Sequence, residues 1–139
     1  MSFLLDTCFL SEFVKKYPDP KVVAWSGQQP ESAFHISVLT LGELQQGITQ
    51  MVASKRKTAR EKWFGGELLS RFEGRVLPIT DVVAVTWGEI QGEARLKGKP
   101  LSAVDSLLAA TALIYDLTLV TRNVVDMQGS GARLINPWK

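Results

Sequence analysis

The clearest pattern in the chain is LSAVDSLLAATALIYDLTLVTRN, residues 101–123. From Leu107 to Ile114 this segment is apolar on almost every side, and Ser102 and Asp105 form a capping box ahead of it, which predicts a buried helix. Leu117 to Val120 then form a short apolar strand that ends in polar residues. A buried helix followed by a buried strand is typical of a parallel sheet that helices cover on both faces.

Strands and helices alternate along the rest of the chain. The other predicted strands are Phe3 to Leu5, Phe34 to Val38, Val76 to Ile79 and Arg133 to Ile135. Apolar residues at helical spacing predict helices from Leu39 to Ile48 and from Val82 to Ala94. We therefore expect an α/β fold, a three-layer α/β/α sandwich with a short-stranded, mainly parallel central sheet. Because no repeat or low-complexity linker interrupts the pattern, we expect one domain over residues 1–139.

Composition narrows the class of protein. The 139 residues are 45% hydrophobic and 22% charged, which excludes a disordered, collagen-like or coiled-coil chain. The formal net charge of +2 is too small to indicate a nucleic-acid partner without regard to its distribution. Cys8 is the single cysteine, so an internal disulfide is excluded and a reducing, cytoplasmic location is expected. No apolar run reaches the roughly 20 residues that span a bilayer, and the first residues lack the basic start of a signal peptide, so no membrane association is expected.

Four acidic residues stand where predicted strands end or predicted helices begin: Asp6, Glu43, Asp105 and Asp126. Each has an ordinary explanation, as a helix cap for Asp6, a solvated position for Glu43 and first-turn acids favoured by the helix dipole for the other two. The carboxyl ends of parallel strands share one edge of a sheet, where ligands bind. Together the four acids therefore predict a carboxylate cluster, which repels itself when empty and binds a hard cation such as Mg²⁺ or Mn²⁺.

The residues that nucleotide-binding loops, zinc sites and phosphotransfer sites require are not found in this sequence. The chain has neither a GxGxxG nor a GxxxxGK[ST] phosphate loop. His35 stands alone in an apolar strand, and Cys8 has no CxxC partner for zinc. A phosphotransfer site of the aspartyl-phosphate kind needs a second acid close to Asp6, and Cys8 occupies that place.

In sequence order, these segments resemble the PIN-domain family, in particular the VapC-type toxins of toxin–antitoxin pairs. The matching segments are Leu4 to Thr7, Thr40 to Leu44 with Gly47, Gly98 to Asp105, Ala109 to Ala112, Leu117 to Asp126 and Leu134 to Trp138. The resemblance covers nearly the whole chain, apart from a less informative part between Val52 and Gly74. It implies a three-layer α/β fold that carries a Mg²⁺-dependent ribonuclease site.

The resemblance also implies roles for individual residues. Asp6, Glu43 and Asp105 match the family's metal-binding acids and are the expected catalytic residues, with Glu43 orienting or deprotonating the attacking water. A fourth family acid often occupies the position of Asn123, which leaves open whether Asp126 completes the metal site or Asn123 positions water. Cys8 stands where the family usually has asparagine, so the local support of Asp6 is expected to differ.

Polar and basic residues around the acids are candidates for holding RNA. The expected substrate-binding residues are Thr7, Thr121, Arg122 and Asn123. The two threonines fit helix caps equally well. The densest basic run is Lys55, Arg56, Lys57, Arg60 and Lys62, with Trp63 following. Such a run is more often a solvated helix face than a binding surface.

The resemblance implies further partners: a small cognate antitoxin and a second copy of the chain in a homodimer. The alternative hypothesis is that the chain is a catalytically inactive PIN-like subunit, which acts as a regulatory partner in a DNA-binding complex. Asn123 is compatible with that alternative, whereas the retention of Asp6, Glu43 and Asp105 argues against it.

Overall fold

The computed structural model describes residues 1–139, and its centre is a sheet of five parallel strands. The strands are β1 (Phe3–Leu5), β2 (Phe34–Ser37), β3 (Val76–Leu77), β4 (Thr118–Val120) and β5 (Leu134–Ile135). Their order in the sheet is β3-β2-β1-β4-β5. From β1 the chain first builds the sheet towards β3 and then returns to the other side of β1. This reversal creates a switch point between β1 and β4, the place where ligands bind in open α/β sheets.

Helices of very different length surround the sheet. They are α1 (Thr7–Glu12), α2 (Pro20–Gly27), α3 (Val38–Gln50), α4 (Lys55–Lys62), α5 (Leu69–Arg71), α6 (Asp81–Leu96), α7 (Ala103–Ile114) and α8 (Val124–Met127). A 3₁₀ turn (Glu31–Ala33) precedes β2, and a π-helical turn (Trp63–Leu68) follows α4. None of the helices combines the length and the apolar character that crossing a membrane requires.

Alternate residues of β1 face opposite helical layers. Phe3 and Leu5 belong to a cluster of 12 buried residues that includes Phe9 of α1. Leu4 belongs to a second cluster of 6 buried residues that includes Leu108 of α7. Because successive side chains of a strand point to opposite faces, a strand buried at every position needs a helical layer on each side. The predicted three-layer sandwich is thus confirmed.

The predicted strands and helices are present, and the differences at their ends have local causes. β2 ends at Ser37 because the Ser37 hydroxyl accepts a hydrogen bond from the Leu39 N–H at 3.0 Å and caps α3. β3 stops before Pro78, which has no N–H to donate to a neighbouring strand. The sequence interpretation missed α2, although Asp19 at its N-cap and Pro20 in its first turn form a recognisable start signal.

A candidate active site at the switch point

Asp6 lies at the switch point, directly after β1 and at the N-cap of α1. It is 6% exposed. Its Oδ1 accepts a hydrogen bond from the Thr7 backbone N–H at 2.7 Å, and its Oδ2 accepts one from the Thr121 hydroxyl at 2.7 Å. The helix-cap role of Asp6 is therefore real, and it coexists with a carboxylate whose orientation is set from both sides of the switch point.

Cys8 supports the same carboxylate from a second direction. Its Sγ lies 3.7 Å from Asp6 Oδ2 and 4.0 Å from Thr121 Oγ1. Burial and, secondly, the charge of Asp6 raise the pKa of the Cys8 thiol to about 11. The thiol is therefore protonated at neutral pH and donates a weak hydrogen bond to Asp6.

Glu43 approaches Asp6 from α3. Its Oε1 accepts a hydrogen bond from the Thr7 hydroxyl at 2.6 Å, which links the start of α1 to the second turn of α3. The side chain is half-buried. Burial raises the pKa of Glu43, and the carboxylates of Asp6 and Asp105 raise it further against the opposing effect of the Thr7 hydrogen bond.

Asp105 is half-buried in the first turn of α7. Its backbone N–H donates to Ser102 Oγ at 3.1 Å, which confirms one half of the predicted capping box. Burial raises the pKa of the Asp105 carboxyl, and the nearby Asp6 and Asp126 carboxylates add to the increase. Since Asp6 and Asp105 both act on Glu43 as well, the sheet edge carries one region of concentrated negative charge.

The chemistry of this region fits a hard divalent cation. No three His, Cys, Asp or Glu side chains are already gathered closely enough to hold a metal ion. Mg²⁺, however, takes one or two protein carboxylates and keeps several of its waters, so it does not need a complete protein cage. The donors are all carboxylate oxygens. Burial and, after it, neighbouring carboxylates raise the pKa values of Glu43 and Asp105, so a bound cation would favour their charged forms. His35 lies elsewhere, with Nδ1 3.2 Å from the Ala33 carbonyl oxygen.

The expected substrate-binding residues have different positions. Thr121 is fully buried, donates to Asp6 and accepts a hydrogen bond from the Asn123 N–H at 3.0 Å, so its hydroxyl supports the acid and has no surface for a substrate. Thr7 likewise gives its hydroxyl hydrogen to Glu43. Arg122 and Asn123 are exposed beside the acids, and the Asn123 side chain makes no capping bond to α8.

The sequence interpretation missed Glu12, which is buried at the end of α1 with 2% exposure. Its Oε1 accepts hydrogen bonds from Arg122 Nη2 at 3.0 Å and from Trp138 Nε1 at 2.9 Å. Lys15 Nζ also donates to Oε1 at 3.0 Å, and the Asp19 N–H donates to Oε2 at 3.0 Å. Burial alone would raise the pKa of Glu12, but the hydrogen bonds from Trp138, Asp19 and Lys15 lower it to about 2. The available signal was an acid at the end of α1 with Leu10 before it and Phe13 directly after it.

Arg122 is held in place by the same contacts. Its guanidinium carbon lies 4.4 Å from the centre of the Trp138 ring, and about half of its side chain remains exposed. The bond to Glu12 and the stacking on Trp138 fix its direction beside the acids.

A family model described as the PIN domain matches residues 3–124. The chain belongs to the PIN-domain family. The VapC ribonuclease Y4jK of Sinorhizobium fredii is 33% identical to it over 136 residues, which cover 98% of this chain and 97% of that protein. Toxin FitB of Neisseria gonorrhoeae is 32% identical over 135 residues, 97% of each chain. The structure of FitAB bound to an IR36 DNA fragment matches this PIN domain with a TM-score of 0.93 at 30% identity, covering 99% of this chain and 96% of that one.

These relatives confirm the resemblance to VapC-type toxins. Within the PIN domain, Asp6, Glu43 and Asp105 lie inside the residues that the family model matches, and Asp126 lies just beyond them. Cys8 also lies within the matched residues, and its thiol donates a weak hydrogen bond to Asp6.

Proposed function

We propose that this PIN domain, formed by residues 1–139, is a metal-dependent endoribonuclease that hydrolyses RNA phosphodiester bonds as the toxin of a type II toxin–antitoxin pair. The observation that carries the proposal is the position of Asp6 at the switch point between β1 and β4, where its charge adds to the burial that raises the pKa values of Glu43 and Asp105. The names of the relatives, VapC ribonuclease and toxin, support RNA as the substrate and toxicity as the role.

Asp6, Glu43 and Asp105 would hold Mg²⁺ or Mn²⁺, which supplies positive charge to a phosphodiester and lowers the pKa of water. Thr121 and the Thr7 N–H orient the Asp6 carboxylate for that task. Asp126 is the fourth acid of the proposed site, because its charge already reaches Asp105. Asn123 positions water or substrate with its exposed side-chain amide.

Glu43 is the group that orients the attacking water or accepts its proton. Its Oε1 is occupied by the Thr7 hydroxyl, so Oε2 is the free oxygen. A half-buried carboxylate with a raised pKa is a stronger base than an exposed one, which suits a proton acceptor at neutral pH.

Arg122 and Asn123 contact the RNA backbone in this proposal. Both are exposed beside the acids, and Arg122 retains N–H groups beyond the one bonded to Glu12. Contacts of this kind give affinity without reading sequence. Thr7 and Thr121 act on the substrate indirectly, by positioning Glu43 and Asp6.

A small antitoxin, a homodimer and a cytoplasmic location complete the proposal. Support for the antitoxin comes from the solved complexes of similar proteins, which include VapBC2 of Rickettsia felis bound to a promoter DNA fragment. The DNA-bound complexes also motivate the alternative of a non-catalytic subunit in a DNA-binding assembly. We favour the nuclease because Asp6, Glu43 and Asp105 are all present and the charge of Asp6 acts on both of the other carboxyl groups.

The test uses the purified protein, freed of any partner, with labelled single-stranded RNA and tRNA in Mg²⁺, Mn²⁺ or EDTA. Asp6→Asn is expected to reduce cleavage at least about 100-fold, and EDTA to abolish it. Glu89→Gln is the matched control, because Glu89 is an exposed acid of α6 outside the site. Cleavage that survives both EDTA and Asp6→Asn would overturn the proposal. A protein that neither cleaves RNA nor binds Mn²⁺ would favour the non-catalytic subunit.

A further inference from the structure

A cavity of about 350 Å³ opens beside the acidic site, between α1, α3 and α4. Thr7 and Glu43 form the side that it shares with the site. Its apolar lining comes from Leu44, Ile48, Met51 and Trp63. Arg56 and Arg60 of α4 supply positive charge to the same space. The cavity therefore joins an apolar surface, an aromatic ring and two guanidinium groups to the proposed catalytic acids.

Arg56 and Arg60 of α4 lie on the same side of the helical segment as Trp63, which directly follows α4. They occupy positions i, i+4 and i+7, which a helix places above one another. Neither Arg56 nor Arg60 forms an ion pair with a carboxylate of the chain. The two cations lie one turn apart on α4, and burial and, secondly, the charge of Arg56 lower the pKa of Arg60. Their charge is therefore available to an anion from outside.

Arg60 and Trp63 are held firmly, whereas Arg56 is free to meet a ligand. Arg60 Nη2 donates to the Val14 carbonyl oxygen at 3.1 Å, which fixes α4 to the segment after α1. Trp63 packs against the larger hydrophobic cluster and begins the π-helical turn. Arg56 is exposed and makes no side-chain hydrogen bond to the rest of the chain.

A nucleotide of single-stranded RNA matches this combination better than a free phosphate or an apolar peptide does. Proteins that bind single strands combine cationic groups for the phosphates with aromatic rings on which bases stack. A free phosphate would not use the apolar surface, and an apolar peptide would leave the arginines unpaired. The volume lies within the range of cavities that hold small ligands. An acidic site also repels RNA, so cations next to it are needed to hold the chain that it cleaves.

We propose that this cavity, the Arg56–Arg60–Trp63 pocket, binds the nucleotide next to the scissile phosphate, with its phosphate at the arginines and its base against the Trp63 ring. The proposal rests on the proposed ribonuclease function and names a subsite for its substrate. It also divides the basic run of α4 into two parts. Lys55 and Lys62 line a different depression together with Ser54, Thr58 and Ala59, and none of the proposed catalytic acids borders that depression.

The main experiment compares Arg56→Gln with Lys55→Gln, a neighbouring exposed cation on the same helix. Binding of a fluorescein-labelled single-stranded RNA hexamer is measured by anisotropy with Ca²⁺ in place of Mg²⁺, and cleavage is measured separately with Mg²⁺. We expect Arg56→Gln to weaken binding about tenfold and to reduce the salt slope by about 1. KM should rise by a similar factor while kcat changes less than about twofold, and Lys55→Gln should leave all of these values near those of the wild type.

Two variants of Trp63 test whether the RNA base stacks on its ring. Trp63→Leu should weaken hexamer binding about tenfold, and Trp63→Tyr should restore most of the affinity because it keeps an aromatic face. Thermal unfolding of both variants controls for the packing of Trp63 against the hydrophobic cluster. If Lys55→Gln and Arg56→Gln weakened RNA binding equally, the proposed nucleotide subsite would be overturned, and α4 would present only a solvated basic face.

The remaining outcomes separate the two proposals. Unchanged RNA binding by Arg56→Gln, combined with lost binding of a cognate antitoxin, would overturn the subsite and assign the pocket to a protein partner. A wild-type protein that binds the hexamer through Arg56 yet cleaves no RNA in Mg²⁺ or Mn²⁺ would support the pocket and overturn the ribonuclease. A wild-type protein that neither binds nor cleaves RNA would overturn both.

Discussion

Arg122 Nη2 donates a hydrogen bond to Glu12 Oε1 at 3.0 Å, between residues 110 positions apart in the chain. Arg122 directly follows Thr121, whose hydroxyl holds the Asp6 carboxylate. The bond therefore ties the end of α1 to the loop that supports the central acid of the proposed site. A buried carboxylate is stable only when donors compensate its charge, so Glu12 and its donors depend on one another.

Glu12→Gln is expected to lower the free energy of unfolding by about 2 to 3 kcal/mol. The substitution removes the charge that Arg122 and Lys15 share, and it places either an NH₂ group or a weaker acceptor opposite the Asp19 N–H. Urea denaturation measures the change. Glu89→Gln, at an exposed position of α6, should stay within about 0.5 kcal/mol of the wild type. A Glu12→Gln protein as stable as that control would show that the buried contacts contribute no net stability.

Acid should weaken the fold partly through Glu12. Its pKa falls from an ordinary 4.5 to about 2 in the folded protein, so the unfolded chain binds a proton first as the pH falls. The stabilisation is complete above about pH 4.5 and is lost between there and pH 2. Glu43 and Asp105 have raised pKa values and act in the opposite direction, because their protonation favours the folded state. The difference between the wild type and Glu12→Gln isolates the Glu12 contribution, and it should shrink from pH 6 to pH 3 in urea titrations.

Mn²⁺ should raise the unfolding temperature of the wild type. A ligand at 100 times its dissociation constant stabilises the folded state by about 2.7 kcal/mol, since it binds the assembled acids and not the unfolded chain. Differential scanning fluorimetry over a Mn²⁺ series measures the shift, with Glu89→Gln as the variant that should behave like the wild type. Asp6→Asn should remove most of the effect. An equal shift in Asp6→Asn would place the cation elsewhere.

Asp105→Asn should leave the metal-free protein as stable as the wild type or slightly more stable. The substitution removes one of the charges that raise the pKa of Glu43, so the repulsion at the sheet edge falls. Thermal unfolding in EDTA measures this, and Asp81→Asn, at the exposed first turn of α6, provides the comparison. A clear loss of stability in Asp105→Asn would mean that this carboxylate has a structural task that outweighs the repulsion.

Cys8 should react slowly with thiol reagents in the folded protein. Its pKa of about 11, against an ordinary 9.0, lowers the thiolate fraction at pH 8 about 100-fold, and the thiolate is the reactive form. Iodoacetamide labelling followed by mass spectrometry measures the rate. The same protein in urea should react at the rate of an ordinary cysteine. Rapid labelling of the folded protein would show that the thiol is not held against Asp6.

Local patterns predicted the sheet and most of the helices, although α2 was missed. The strands are short apolar runs, and residues such as Ser37 and Pro78 end or redirect them through their own hydrogen-bonding properties. Asp6, Glu43 and Asp105 were recognisable because parallel strands bring their carboxyl ends to one edge. The charge of Asp6 adds to the burial that raises the pKa values of Glu43 and Asp105, which agrees with that expectation.

Glu12 could not be found in the same way, because its partners Arg122 and Trp138 lie 110 and 126 residues away. No local pattern encodes whether a carboxylate is buried among donors that arrive from the other end of the chain. The same limit applies to Thr121, whose strand-end position is compatible with a substrate contact, a cap or its observed bond to Asp6.

The basic run of α4 shows most clearly what the sequence determines and what the tertiary structure determines. The helical period follows from the sequence, and it separates Arg56, Arg60 and Trp63 from Lys55 and Lys62. Which of the two sides faces Glu43 depends on how α4 packs against α1 and α3, through contacts such as the Arg60 bond to Val14. Local residue order sets the pattern of charges on a helix, whereas packing between distant segments sets the direction in which those charges point.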